Sequence, residues 1–167
     1  MNTQLRLPAE LWGSTISHLL PPRSTVEQAS FLFVRPSNAD AFEVIASVNL
    51  GPGDFRSQCR DYLELADATR ADIIRRAHQF DASLVEMHSH PFPMPAAFSP
   101  ADIVGLSETV PHMWWRLKAR PYFAVVVGPN DFDALVWRAN PDEPEPLAAI
   151  FDGDTPMSPT GITLARW

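Results

Sequence analysis

Residues 84–106 read LVEMHSHPFPMPAAFSPADIVGL. An apolar run ends in His88-Ser89-His90-Pro91, a proline-rich loop follows, and Ser99-Pro100-Ala101-Asp102 opens a helix. Side chains two apart on a strand project from one face, so His88 and His90 can approach one cation together. Asp102, delivered a short loop later, can complete a His-His-Asp set. Three such ligands leave the fourth tetrahedral position of zinc open for water, as in catalytic rather than structural zinc sites. Each piece also has an ordinary explanation. Histidines at a strand end are commonly inert, and Ser99-x-x-Asp102 is a capping box with proline at the first helical position. The conjunction at one sheet edge is what points to a metal.

The whole chain sets the frame. Its 167 residues suit one domain, spanning 1–167 and large enough to bury a core without disulfides. A hydrophobic content of 46% with 20% charged residues is the balance of an ordinary globular protein. The net charge of -7 disfavours a nucleic-acid partner, which calls for a basic surface. Cys59 is the single cysteine, which excludes an internal disulfide and a cysteine-based zinc cluster; it reads as a half-buried strand residue. No stretch approaches the roughly 20 apolar residues of a membrane span. The opening MNTQLRLPAELW lacks the layout of a secretion signal. The expectation is a cytoplasmic protein with no membrane partner.

Periodicity predicts a helix over Pro8–Leu20 and strands over Ala29–Val34, Phe42–Leu50 and Gln58–Leu65. Ala68–Phe80 is helical, with Ile73, Ile74, Ala77 and Phe80 as its buried stripe. Ala82–His90 is the strand that carries the histidines. Ser99–Thr109 is a helix that Val110-Pro111 breaks, and His112–Lys118 is a separate short one. Tyr122–Gly128 and Phe132–Arg138 form a hairpin across Pro129-Asn130-Asp131. Asn140–Pro146 is an acidic loop, and Gly161–Ala165 a short final strand. His18 and His78 fall on helix surfaces, away from any ligand pattern. This order predicts an α+β fold, a mixed central sheet flanked by helices in three α/β/α layers.

A hydrolytic zinc site needs a base beside the activated water. Three carboxylates can supply it: Glu27 ahead of the first of these strands, Glu43 inside the second, and Glu86 two residues before His88. Glu86 shares the strand face of both histidines, about 6–7 Å further back.

His88-Ser89-His90-Pro91 followed by Ser99-x-x-Asp102 resembles the signature of the JAMM (MPN-plus, prokaryotic JAB) metalloproteases, zinc isopeptidases that remove ubiquitin and ubiquitin-like proteins. In that family a glutamate stands upstream in the form E-x-x-small-apolar-Leu-apolar. Glu27-Gln28-Ala29-Ser30-Phe31-Leu32-Phe33 matches it, 61 residues before His88. The resemblance runs from about Pro8 to Arg138. It departs in the loop Pro91–Phe98, whose eight residues are one more than is usual, and in an acidic Glu86 where an aromatic residue or glycine is common. It implies a cytidine-deaminase-like JAB/MPN fold, zinc held by His88, His90 and Asp102, Glu27 as the base, and Ser99 as an oxyanion donor. The implied activity is cleavage after the C-terminal tail of a ubiquitin-like protein, in precursor processing or deconjugation. Its setting would be a bacterial conjugation system with E1- and E2-like enzymes, some of which are antiviral. A sulfur-carrier protein is an alternative substrate, and a catalytically inactive MPN-type scaffold an alternative role. Phe98, Met113, Trp114 and Trp115 are candidates for an apolar substrate dock, with core packing the competing reading of Trp114 and Trp115.

Overall fold

Phe31–Val34, Tyr122–Val127 and most of Phe132–Trp137 are apolar on both sides of the pleat, which suits strands covered on both faces. The structure, a computed structural model describing residues 2–167, buries all three. Its strands are β1 (Gln4–Leu7), β2 (Ala29–Pro36), β3 (Ala41–Asn49), β4 (Phe55–Gln58), β5 (Leu63–Leu65), β6 (Ser83–Ser89), β7 (Tyr122–Val127), β8 (Phe132–Trp137), β9 (Glu145–Pro146), β10 (Ala149–Asp152) and β11 (Thr155–Met157). The helices are α1 (Leu11–Leu19), α2 (Asp67–Phe80) and α3 (Pro100–Arg116).

Nine strands form one mixed sheet in the order β11-β10-β1-β3-β2-β6-β7-β8-β9, while β4 and β5 make a separate hairpin. The histidine strand β6 lies inside the sheet, antiparallel to β2 and parallel to β7. Two apolar cores form. In one, Phe31, Phe33, Leu84 and Tyr122 pack with Ile73, Ile74 and Ala77 of α2 and Leu106, Val110 and Met113 of α3. In the other, Leu32, Val34, Val85 and Phe123 pack with Leu19, flanked by Leu11, Trp12 and Ile16 of α1. The fold is therefore α+β with a mixed sheet. No helix among the described residues is long and apolar enough to cross a membrane.

Several expectations need correction. α3 is continuous, with Pro111 inside it. Leu106, Val110, Met113 and Leu117 keep one buried stripe running through the proline, and the carbonyl left without a donor belongs to exposed Ser107, where water can serve. Burial of the stripe outweighs the lost hydrogen bond. Gln58–Leu65 is not one strand: the Cys59 amide donates to the Tyr62 carbonyl at 2.8 Å and turns the chain from β4 into β5. Cys59 is exposed in that turn rather than half-buried on a strand. The expected strand at Gly161–Ala165 gives way to a 3-10 turn, Leu164–Arg166. α1 starts at Leu11, not Pro8. His18 is half-buried, its Nε2 3.2 Å from the Ala29 carbonyl. The short strands β1, β9, β10 and β11 lie outside the expectations because distant partners stabilise them; Leu5 pairs with both Ile150 and Phe42.

Candidate metal centre

The β2–β6 register sets Ala29 opposite His88. Carried two residues further, the same antiparallel register brings Glu27 opposite His90, on the face that both histidines share. Ser89, on the other face, closes the ladder there. Its amide donates to the Gln28 carbonyl at 3.1 Å, and its hydroxyl accepts from the Gln28 amide at 2.9 Å. Glu27 is 2% exposed, with Oε1 3.5 Å from His90 Nε2. A residue just before a strand thus delivers a buried carboxylate to the histidines.

The loop Pro91–Phe98 brings Asp102 in from the other side. The Ala96 amide donates to Asp131 Oδ1 at 2.9 Å, the Thr160 hydroxyl donates to the Ala96 carbonyl at 2.7 Å, and the Phe98 amide donates to Thr163 Oγ1 at 2.9 Å. So pinned, the loop enters α3 through the capping box read from the sequence. The Asp102 amide donates to Ser99 Oγ at 3.1 Å, and the Ser99 amide donates to Asp102 Oδ2 at 2.7 Å.

Three donor atoms then form a small triangle. His88 Nε2 is 3.3 Å from His90 Nε2, and Asp102 Oδ2 is 3.4 Å from the first and 3.1 Å from the second. Bonds of about 2.0–2.1 Å around a tetrahedral cation hold its ligand atoms roughly 3.3–3.4 Å apart, so the triangle has the size of one tetrahedral face. Glu27, His88 and His90 also offer ligand atoms within 4.8 Å of one another. The two triads share the histidines and differ in the carboxylate. Asp102 faces both imidazoles at ligand-edge distance, whereas Glu27 reaches that distance only from His90. The group can hold a metal ion.

Its charges fit a cation as well. Burial favours the neutral form of Asp102, but hydrogen bonds to both imidazoles, the charge of His88 and the Ser99 amide hold its carboxyl far below the ordinary range. Burial opposes protonation of His88, yet its hydrogen bond to Asp102 and the charges of Asp102, Glu27 and Glu86 hold it above its ordinary value. Burial raises the Glu27 carboxyl, against the pull of His88 and His90. A metal ion would replace the protons that now reconcile these groups.

A cleft of about 360 Å³ opens beside the triangle between the β4–β5 hairpin and α3, lined by Asp61, Tyr62, Leu65, Glu86, Gly105 and Glu108 among others. A second, of about 330 Å³, is lined by His90, Phe92, Met94, Ser99 and Ile162 and shares Glu27 and Asp61 with the first. Glu86 accepts a hydrogen bond from the Tyr122 hydroxyl, and burial raises its carboxyl; it stands in the first cleft, outside the triangle. Glu43 lies on β3 and lines neither cleft. Of the docking candidates, Trp115 is 74% exposed, while Trp114 packs against the α2–α3 core and Met113 is buried in it. Phe98 is likewise a core residue at 2% exposure, its ring 5.7 Å from that of His88, and it also borders the second cleft. Ser89, Thr163 and Tyr122 carry no local motif that would mark them as supports. Their partners meet them only through sheet register and chain closure.

No family model matches the chain, and no curated protein matches it. Among solved structures, it is similar to a protein of Desulfitobacterium hafniense known from a solution structure determined by structural genomics. That protein is 14% identical, with a TM-score of 0.51, over 89% of this chain and 93% of that one. At this identity the likeness speaks for the fold alone.

Proposed function

We propose that the chain is a zinc-dependent hydrolase of the JAMM type, folded as a three-layer cytidine-deaminase-like JAB/MPN domain. It cleaves the amide bond after the C-terminal tail of a ubiquitin-like protein. The observation that carries this reading is the triangle of His88, His90 and Asp102 at tetrahedral-edge spacing, with buried Glu27 beside it. Zinc held by those three residues would lower the pKa of a water in its open position and polarise the scissile carbonyl. Glu27 takes the proton of the attacking water and passes it to the leaving amine. Burial raises its proton affinity, which suits a group that must carry a proton between the two steps. Ser99 Oγ serves as an acceptor in the helix cap, so its hydrogen is free to donate to the developing oxyanion. Two clefts meeting at Glu27 leave room for substrate on either side of the bond. The Leu63–Leu65 edge beside the first cleft suits an extended tail added as a strand.

Precursor processing, deconjugation in a bacterial system with E1- and E2-like enzymes, and release of a sulfur-carrier protein all use this same chemistry. The test is cleavage of a ubiquitin-like protein bearing a C-terminal extension, read by intact mass. Glu27→Gln is expected to slow cleavage by about 10²–10⁴-fold while retaining zinc. A fully active, zinc-loaded Glu27→Gln protein overturns the assignment of the base.

A further inference from the structure

Glu27 stands one residue beyond the last hydrogen-bonded neighbour of the ladder, so β6 does not hold its main chain. The hairpin turn does. The Glu27 amide donates to the Cys59 carbonyl at 2.9 Å, and Gln58 Nε2 donates to the Glu27 carbonyl at 2.8 Å. The second hydrogen of the same carboxamide nitrogen reaches Gln28 Oε1 at 3.1 Å. A carbonyl oxygen can only accept, so the nitrogen end of Gln58 must face Glu27. Both polar main-chain groups of Glu27 are therefore committed to two adjacent residues at the end of β4. We infer that Gln58 is a positioning residue for Glu27, setting where its carboxylate stands relative to His90. The inference rests on the metal-site reading above and extends it. Because Tyr62, Leu63, Glu64 and Leu65 line the first cleft, the hairpin that walls the substrate channel also holds the base.

The test uses the intact protein loaded with Co²⁺ and needs no substrate. The readouts are the visible spectrum of the bound ion as a function of pH, the metal stoichiometry and the melting temperature. Glu27→Gln takes a negative charge from beside the cation, so the spectral midpoint is expected to move down by about one pH unit. Gln58→Met keeps the length of the side chain and removes the donor. It is expected to bind one Co²⁺ per chain and to move the midpoint in the same direction by about half as much. In the double variant the midpoint should equal that of Glu27→Gln alone, because a residue acting through Glu27 has nothing left to act on. A Gln58→Met midpoint equal to wild type, whatever the melting temperature does, overturns the positioning role and leaves the metal site standing. Additive shifts in the double variant overturn it too. Failure of wild type to bind Co²⁺ overturns the metal-site reading itself. An unmoved midpoint in a Co²⁺-loaded Glu27→Gln protein overturns the placement of Glu27 beside the ion and the positioning role with it.

Discussion

At the scale of single residues, Asp102 Oδ2 is the most heavily committed atom of the site. It accepts from the Ser99 amide at 2.7 Å and faces both imidazoles at 3.4 and 3.1 Å. The cap and the metal triangle thus share one oxygen, and the helix N-terminus orients the carboxylate toward the histidines. The same contacts predict how the metal-free protein responds to pH. The raised His88 contributes stability in full below its unfolded value of about 6.5 and loses it as pH climbs through the folded value. The depressed Asp102 contributes above its unfolded value of about 3.9 and loses that as pH falls through the folded one. Glu27, raised by burial, has the same sign as His88. The site therefore favours the metal-free fold most in mild acid. A cation reverses the trend, since imidazole must be neutral to bind it. Melts with and without zinc at about pH 5.5 and 8 should show a larger zinc-induced rise in Tm at the higher pH. Equal gains at the two pH values would contradict the assigned charges.

Among the elements, α3 shows burial overriding a local signal. A proline in a helix interior costs about 3 kcal/mol relative to alanine, yet the stripe Leu106, Val110, Met113, Leu117 passes through Pro111 unbroken. Pro111→Ala restores a donor for the Ser107 carbonyl and should raise the urea midpoint, with stability higher by about 1–3 kcal/mol. A lower midpoint would mean that the proline ring makes packing contacts worth more than the hydrogen bond. The same conflict explains what was legible in the sequence. Long periodic segments such as Ala68–Phe80 announce themselves. The break at Pro111 does not occur, because its signal is local and the core that overrides it is not. β1 and β10 are four residues each, and pairing with each other and with β3 and β11 makes them strands.

For the molecule as a whole, the sheet brings together residues far apart in the chain. Glu27 and His88 meet through the β2–β6 register, and Asp102 reaches them through a loop pinned by Asp131, Thr160 and Thr163. His88, His90, Ser99 and Asp102 could be read as candidates because each sits in a short motif whose geometry is local. Glu27 became readable through a family pattern. Gln58 and Ser89 could not be read, because their roles exist only once strand register and hairpin are in place. The burial of Phe98 could not be read for a related reason: an aromatic residue in a loop looks exposed until the loop folds inward, and here it ends in the core at the border of the second cleft. If this convergence makes a metal site, titration calorimetry of the metal-stripped protein with Zn²⁺ will register it. Saturation at one ion per chain is expected in wild type and in Glu27→Gln, with binding lost in His88→Ala/His90→Ala. No binding heat in wild type, or undiminished binding in the double histidine variant, would contradict the metal site.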